Sequence, residues 1–378
     1  MIQVVRKALI APLAAAAVAI LVSSIALLIS GNSPARAFLE MWKTIDSTES
    51  VVLIINRAVP YYIAGVAVAI GFRTNLFNIG ANGQYVLGAL VAAWAGAELN
   101  LWPPLHVTVI LVIAVAVAAL WAAIPGILKV TRNVNEVVAT IMLNNIATGI
   151  VAFLLAEQFR DEETGGLVAQ TKLLPESARL PSLNRLVELT GFHLGDVQLL
   201  GFLPFAVAVG VGYHLLLNRS RFGYELRLSG TNADAARSAG VNPKAMVIKT
   251  IVLSGAVAGL IGMHSLIADP QFHKFGEQFP KTIGFTGIAI ALLGRNHPGG
   301  IVAAALIWAT IERATQRLNP LGIPQEIGPI LQGSFLLAAV VVFEIVKRRS
   351  DAAAAAAAAR AVQAPPPSAT TMPTGAPA

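Results

Sequence analysis

Ten apolar runs, at about residues 8–30, 51–71, 78–97, 106–128, 136–156, 201–218, 247–267, 282–294, 299–315 and 327–346, take up most of this chain. Most reach the ~20 residues that an α-helix needs to cross the hydrocarbon core of a bilayer. In that solvent each backbone N–H and C=O must be satisfied within the segment, so the expected fold class is all-α, a polytopic membrane protein of about ten transmembrane helices. Only 12% of residues are charged, against ~25% in soluble domains, too few to cover a soluble surface. The run 282–294 is too short to cross unaided and is expected to be tilted, extended, or a half-span shielded by other helices.

Charge placement sets the direction of the runs. The formal net charge of +7 would suit nucleic acid or anionic lipid, but the basic residues gather at the ends of the runs and so mark topology. With the N-terminus inside, fifteen Lys and Arg fall on inner loops: Arg6, Lys7, Arg73, Lys129, Arg132, six from Arg219 to Lys249, Arg295 and Lys347-Arg348-Arg349. The short outer loops hold five, namely Arg36, Lys43, Lys274, Lys281 and Arg317. Lys and Arg near span ends resist translocation, so both termini are expected in the cytoplasm of a multi-pass cell-membrane protein that meets lipid and no nucleic acid. Ala35-Arg36-Ala37 resembles a signal-peptidase site, yet the run before it has about 22 residues against the ~7–15 of a signal core, which favours an uncleaved first span.

The sequence leaves little room for catalysis. There is no Cys, which removes disulfides, thiolate chemistry and Cys-ligated metals. The six histidines, His106, His193, His214, His264, His273 and His297, include no i, i+4 pair, so no helical metal site is expected. No G-x-x-x-x-G-K-[ST] occurs, and "GRNHPGG" at 294–300 reads as an inner turn before a helix, so the chain is not expected to hydrolyse ATP itself. His264 has Ser254 and Ser265 nearby in sequence, at no spacing that pairs a nucleophile with a base. Neither a catalytic residue nor a cofactor is expected. An ion-coupled secondary transporter remains an alternative, but that class usually needs an intramembrane carboxylate. Here Glu312 and Glu344 lie near run ends, and the middle of the runs carries no Asp or Glu.

Residues 1–350 are expected to form the membrane domain, with two segments leaving it. The outer segment, 157–200, carries Asp161, Glu162, Glu163, Glu176, Glu188 and Asp196 with Gly165-Gly166 and prolines. That composition suits a folded external loop, either a docking surface or a connector. The inner segment, 219–246, carries a helix signal. Thr231 or Asn232 can serve as N-cap, Asp234 stands three residues after Thr231 as in a capping box, and Gly240 suits the position past the helix end. Ala233, Ala235 and Ala236 favour helix between them. A short helix fixed between two spans can convey a push, which predicts a coupling helix. After residue 350 an Ala run passes into "APPPSATTMPTGAPA". That composition has too little apolar bulk for a core, so 351–378 is expected to be disordered.

"LRLSGTNADAARSAGVNPKAMVIKTIVLSGAVAGLIG" resembles the cytoplasmic loop and following span of permease subunits in ATP-binding cassette (ABC) importers. "FRTNLFNIGANGQ", "NEVVATIMLNNIA" and "GFTGIAIALLGRNHPGGIVAAAL" occur in this order within residues 51–346. Together they are similar to the permeases for nucleosides and, more distantly, simple sugars such as ribose, in the family that includes branched-chain amino acid permeases. The resemblance implies a type II ABC-importer-like permease, a transport subunit whose energy comes from a partner ATP-binding cassette ATPase. It also implies a second permease subunit, identical or related, and an extracytoplasmic solute-binding protein. Gly230, Thr231, Asn232, Asp234, Ala235, Ala236 and Gly240 would then couple the chain to the ATPase. Two departures stand out: Asn82 replaces the Glu common in "NIGAEGQ", and Asn145 stands where an aromatic residue is usual.

The stretch "FRTNLFNIGANGQ", 72–84, places one Arg, three Asn and one Gln between apolar runs. Arg73 is expected at the cytoplasmic interface, Asn75 in a turn and Asn78 as the N-cap of the next span. Asn78, Asn82 and Gln84, with Asn144 and Asn145 in the run 136–156, place neutral amides at membrane depth. Such amides can line a pathway and bond a hydroxyl or a base edge without burying charge. They can equally tie neighbouring helices together. Uncharged amides suit a neutral polyhydroxyl solute or a nucleoside better than a charged amino acid, and the resemblance implies a nucleoside first and a simple sugar next.

Overall fold

A helix occupies each of the ten apolar runs in the computed structural model, which describes residues 2–162, 168–191, 194–324 and 326–363. In chain order the helices are α1 (Ile2–Ile29), α2 (Pro34–Trp42), α3 (Thr48–Phe72), α4 (Ala81–Glu98), α5 (Pro103–Arg132), α6 (Glu136–Glu157) and α7 (Asn184–Glu188). They continue with α8 (Leu203–Arg219), α9 (Arg221–Thr231), α10 (Ala233–Ser238), α11 (Pro243–Gly259), α12 (Ile283–Leu293), α13 (Pro298–Gln316) and α14 (Ile327–Gln363). No strand occurs among the described residues.

Local chemistry sets the helix ends. Ser47, Asn135, Ser220 and Asn242 each accept a backbone N–H of the following first turn, satisfying donors that a helix start leaves orphaned. Proline opens α2, α5, α8, α11 and α13, where its missing N–H costs nothing. Asn133, at φ 52°, closes α5 in the left-handed region that Asn tolerates better than most residues.

Among the described residues, four helices are long and apolar enough to cross a membrane: α3, α5, α6 and the stretch Pro243–Ala268, in which α11 continues through a π turn at His264–Ala268. In α3 and in Pro243–Ala268, 72% of the apolar window is buried, against 28% in α5 and α6. The first pair therefore lies in the core of the bundle and the second at its surface. α3 packs on α8, α11, α12 and α13, α4 on α5, α6 and α11, and α1 runs along α14. α5 and α11 meet almost backbone to backbone, since a Cβ on Gly259 would lie 2.4 Å from Ala114 O and one on Gly255 2.2 Å from Ala122 Cβ. Lipid supplies no hydrophobic drive between helices, so such small-residue seams hold them by close van der Waals contact.

Two sequence expectations change, and one open alternative is decided. Asn78 is not an N-cap: α4 starts at Ala81 behind Gly80, and 73–80 is non-helical. α12, with 11 residues, is a half-length helix, about 16 Å at 1.5 Å per residue. α14 runs on through the Ala run to Gln363, although 351–363 was expected to lack structure. Alanine is the best helix former, and extending an existing helix avoids the cost of nucleation. Residues 364–378 lie outside the described residues.

Candidate functional site

Two helix starts meet deep in the bundle. A Cβ on Gly287 of α12 would lie 2.7 Å from the Ala64 carbonyl of α3, and one turn earlier a Cβ on Gly284 would lie 2.5 Å from Asn82 Cα. The start of α12 therefore abuts the start of α4 near the level of Tyr61. Eleven residues separate Tyr61 from Phe72, about 16 Å of helix, which is roughly the middle of a ~30 Å apolar layer. From this joint α4 runs towards one end of the bundle and α12 towards the other, so two positive dipole ends face each other at mid-depth. Tyr85 braces the joint: its hydroxyl donates to Pro280 O at 2.8 Å and accepts from Ile283 N at 3.3 Å.

The chain reaches this joint through 73–80, where side chains replace the missing helical bonds. Asn78 Nδ2 donates to Gln84 Oε1 at 2.9 Å and to Ser254 Oγ at 2.8 Å, and Gln84 Nε2 returns a bond to Asn78 Oδ1 at 3.0 Å. Ser254 donates in turn to Ala67 O at 2.6 Å, so α3, α4 and α11 are tied at one point. Asn144 of α6 accepts from Gly83 N at 2.8 Å and donates to Ile79 O at 3.0 Å. Asn145, its neighbour, is exposed, with a long 3.4 Å bond to Ile141 O one turn back. Asn82 is buried, and its Oδ1 has no partner among the described residues. It lines a cavity of about 390 Å³ together with Thr148, Val168, Glu277 and Lys281.

A second cavity, of about 520 Å³, lies on the other side of segment 280–283 and opens among Asp196, Gln198, Asp269 and Gln271. Tyr61, His264, Ser265, Arg57 and Glu312 line it. Arg57 Nη2 reaches Glu312 Oε1 at 2.9 Å, and Tyr61 donates to Glu312 Oε2 at 2.5 Å.

At the opposite end of α3, the 73–75 turn touches both the α12–α13 turn and α9. Arg73 Nη2 donates to Asn296 O at 2.6 Å, and Tyr213 donates to the same carbonyl at 2.9 Å, clamping the α12–α13 turn. Asn75, in the left-handed region at φ 54°, donates to Gly230 O at 2.7 Å. Gly230 lies so close that a Cβ there would be 2.3 Å from Arg73 O. Beyond it Thr231 ends α9, and Asn232 caps α10 by accepting from Asp234 N at 2.9 Å and Ala235 N at 3.1 Å. Asp234 bonds Arg237, Ala236 is buried, and Ala235 is exposed. Gly240, at φ +78°, follows the helix, with Val241 N bonding Ala236 O and Gly240 N bonding Arg237 O, the bond pattern of a Schellman end.

A bundle of this kind, with a capped segment strapped to a broken inner turn, can convey motion from one face to mid-depth. The family described as branched-chain amino acid transport system / permease component matches residues 50–340. The chain belongs to this permease family. Among similar proteins, this permease is 32% identical over 334 residues to the guanosine ABC transporter permease NupP of Bacillus subtilis, covering 87% of this chain and 92% of the relative. It is 31% identical over 328 residues to the glucose ABC transporter permease TsgB13 of Haloferax volcanii, covering 84% and 83%. The nucleoside ABC transporter permease NupB of Lactococcus lactis is 28% identical over 337 residues, covering 88% and 90%. No solved structure matches the chain.

Against the sequence reading, the permease brings Asn78, Asn82, Gln84 and Asn144 to one locus and turns Asn145 away from it. Of the two cap candidates, Asn232 caps α10 while Thr231 donates to Arg227 O within α9. The sequence reading missed Arg57 and Tyr61, and weighed His264 only as a candidate for catalysis. The signal available was a lone Arg inside the run 51–71 and a lone Glu inside α13, each of which needs a partner in an apolar setting.

Proposed function

We propose that this permease is the membrane subunit of an ATP-driven importer that moves nucleosides across the cell membrane. The strap between the 73–75 turn and α9 carries the reading: the Asn75–Gly230 bond joins the coupling segment to the chain that leads to the mid-depth joint. A partner ATP-binding cassette ATPase grips 219–246, at α10 and the Gly240 turn. Its cycle shifts α9, and with it 73–80 and the start of α4. The likeness to guanosine and nucleoside permeases supports the solute class, as does Asn82, a neutral amide with an unpartnered oxygen beside a cavity. In this scheme the solute passes the joint at Asn82, while Asn78, Gln84 and Asn144 hold the joint's shape.

The topology that goes with this function has ten spans and both termini in the cytoplasm, supported by the excess of Lys and Arg on inner loops. An ATPase dimer calls for two permeases, and the exposed amide of Asn145 on α6 suits burial against the second, because a lipid-facing amide lacks partners. A solute-binding protein delivers cargo at the outer face, where 171–180 pair with 267–275 through backbone bonds such as Thr171 N to Phe275 O at 2.8 Å. A simple sugar is the second reading, favoured by the similarity to the glucose permease. Uptake of labelled guanosine, uridine, ribose and glucose by cells with and without the chain separates the two. Guanosine or uridine uptake that requires ATP supports the proposal, and accumulation driven by a proton gradient without ATP overturns it.

A further inference from the structure

We propose that the 520 Å³ cavity framed by Arg57, Tyr61, His264 and Glu312 is a binding site for an uncharged, hydroxyl-bearing solute with a flat ring, occupied before the solute reaches the joint. This rests on the importer reading above and adds a site to it. The volume falls within the ~300–1,000 Å³ of small-molecule sites.

The lining defines what can enter. Three carboxylates, Asp196, Asp269 and Glu312, face one guanidinium, Arg57. Arg57 is already spent on Glu312, with Nε at 3.1 Å and Nη2 at 2.9 Å from the same oxygen. Phosphorylated and carboxylated solutes therefore meet repulsion without a free cation to offset it. Neutral hydroxyls do better, because Glu312 Oε2 accepts only the Tyr61 hydroxyl at 2.5 Å and keeps a lone pair. Gln198, Gln271 and Thr282 add amide and hydroxyl groups at the rim, and Phe272 adds an aromatic ring.

The floor supplies the sharper signal. His264 is 4% exposed, yet its Nδ1 has no hydrogen-bond partner among the described residues. An orphaned buried nitrogen costs about 1–3 kcal/mol, which a solute atom bonded there would recover. His264 opens the π turn His264–Ala268 that ends the stretch Pro243–Ala268, and such wide turns recur at functional sites. On the far side of 280–283 the cavity gives way to the joint, where Ile283 N bonds Tyr85. The site thus adjoins the segment that must move for passage.

The absence of Cys makes a direct test available. Ser265→Cys places a single thiol in the cavity wall, and Ser238→Cys places one on exposed α10 as a control. The full chain in lipid nanodiscs is treated with a small neutral thiol reagent in the presence of guanosine, uridine, glucose or guanosine monophosphate. Guanosine and uridine are expected to slow labelling at Ser265→Cys at saturation, to leave Ser238→Cys unchanged, and to be joined by neither glucose nor the monophosphate. Adding His264→Leu should raise the guanosine concentration needed by about tenfold, the equivalent of one hydrogen bond, with His264→Gln restoring part of it. Equal labelling with and without each solute overturns the site, and protection by the monophosphate or by glucose alone overturns its stated chemistry. Cellular uptake separates the two proposals. Nucleoside uptake without protection removes only the cavity, whereas protection without uptake supports the cavity and removes the importer reading.

Discussion

Gly230→Ala tests whether the strap carries force. A Cβ at this position would stand 2.3 Å from Arg73 O and 2.9 Å from Thr74 Cα, both backbone atoms that cannot swing aside. Ordinary contact starts at 3.4 Å, so α9 has to withdraw by about 1 Å, the shift that overpacked sites force on the backbone. That withdrawal stretches the 2.7 Å Asn75–Gly230 bond to roughly 3.7 Å, outside hydrogen-bond range. Within a helix Ala gains about 0.8–1.0 kcal/mol over Gly, while overpacking costs about 1–3 kcal/mol. The net destabilisation of about 0–2 kcal/mol leaves the fold standing with the strap open. In a reconstituted complex the partner's ATP hydrolysis should persist, while solute moved per ATP falls by about fivefold or more, the low end of coupling energies between sites. Gly212→Ala in α8, where nothing lies within 4 Å, should change neither. A Gly230→Ala complex with full transport per ATP would refute the mechanical role of the strap.

Three other outcomes follow from the same geometry. Gln84→Leu leaves Asn78 Oδ1 buried without a donor and should cost about 1–3 kcal/mol, read as a lower unfolding temperature in detergent; unchanged stability with lost uptake would mean that this amide meets solute instead. Gly240→Ala puts a side chain at φ +78° with no neighbour within 4 Å, a strain of about 1–2 kcal/mol confined to the end of α10, so uptake should fall while the melting of the whole chain barely moves. His273, buried in the outer segment, is held below its ordinary value of 6.5, chiefly by burial and also by Arg179, against its bond to Leu266 O and the charge of Asp269. The unfolded chain therefore binds the proton first, so stability should be full above about pH 6.5, decline as pH falls through the window below it, and decline less in His273→Gln.

How much of this was legible depends on the range of the interaction. The apolar runs gave the helices, because lipid demands locally satisfied backbone, and Asn232 with Gly240 gave α10, because caps act within four residues. Asn78 was misread as a cap, since its partner Ser254 is 176 positions away. Arg57 and Glu312, 255 positions apart, were equally out of reach. Asn144 and Asn145 are the sharpest case: α6 is apolar on every side, so no periodicity tells which of two adjacent amides turns inward, and a rotation of about 100° gives them opposite surroundings.

The polar stretch that interrupts the apolar runs has a physical reason once the break is seen. Non-helical backbone at membrane depth survives only where protein groups take over the lost bonds. Here the replacements come from three other helices: Asn144 of α6 serves Ile79 O and Gly83 N, Ser254 of α11 receives Asn78, and Gly230 of α9 receives Asn75. A continuous helix would bond to itself and be indifferent to its neighbours' small shifts. The break's own backbone bonds are few and local, from Thr74 N and Leu76 N to Gly71 O, Asn75 N to Phe72 O and Ile79 N to Phe77 O, so a break held otherwise by other helices tends to follow them. In the proposed scheme, movement at α9 is taken up at the start of α4, beside Asn82 and the head of α12, so the amides that make the break affordable in lipid would also couple it mechanically.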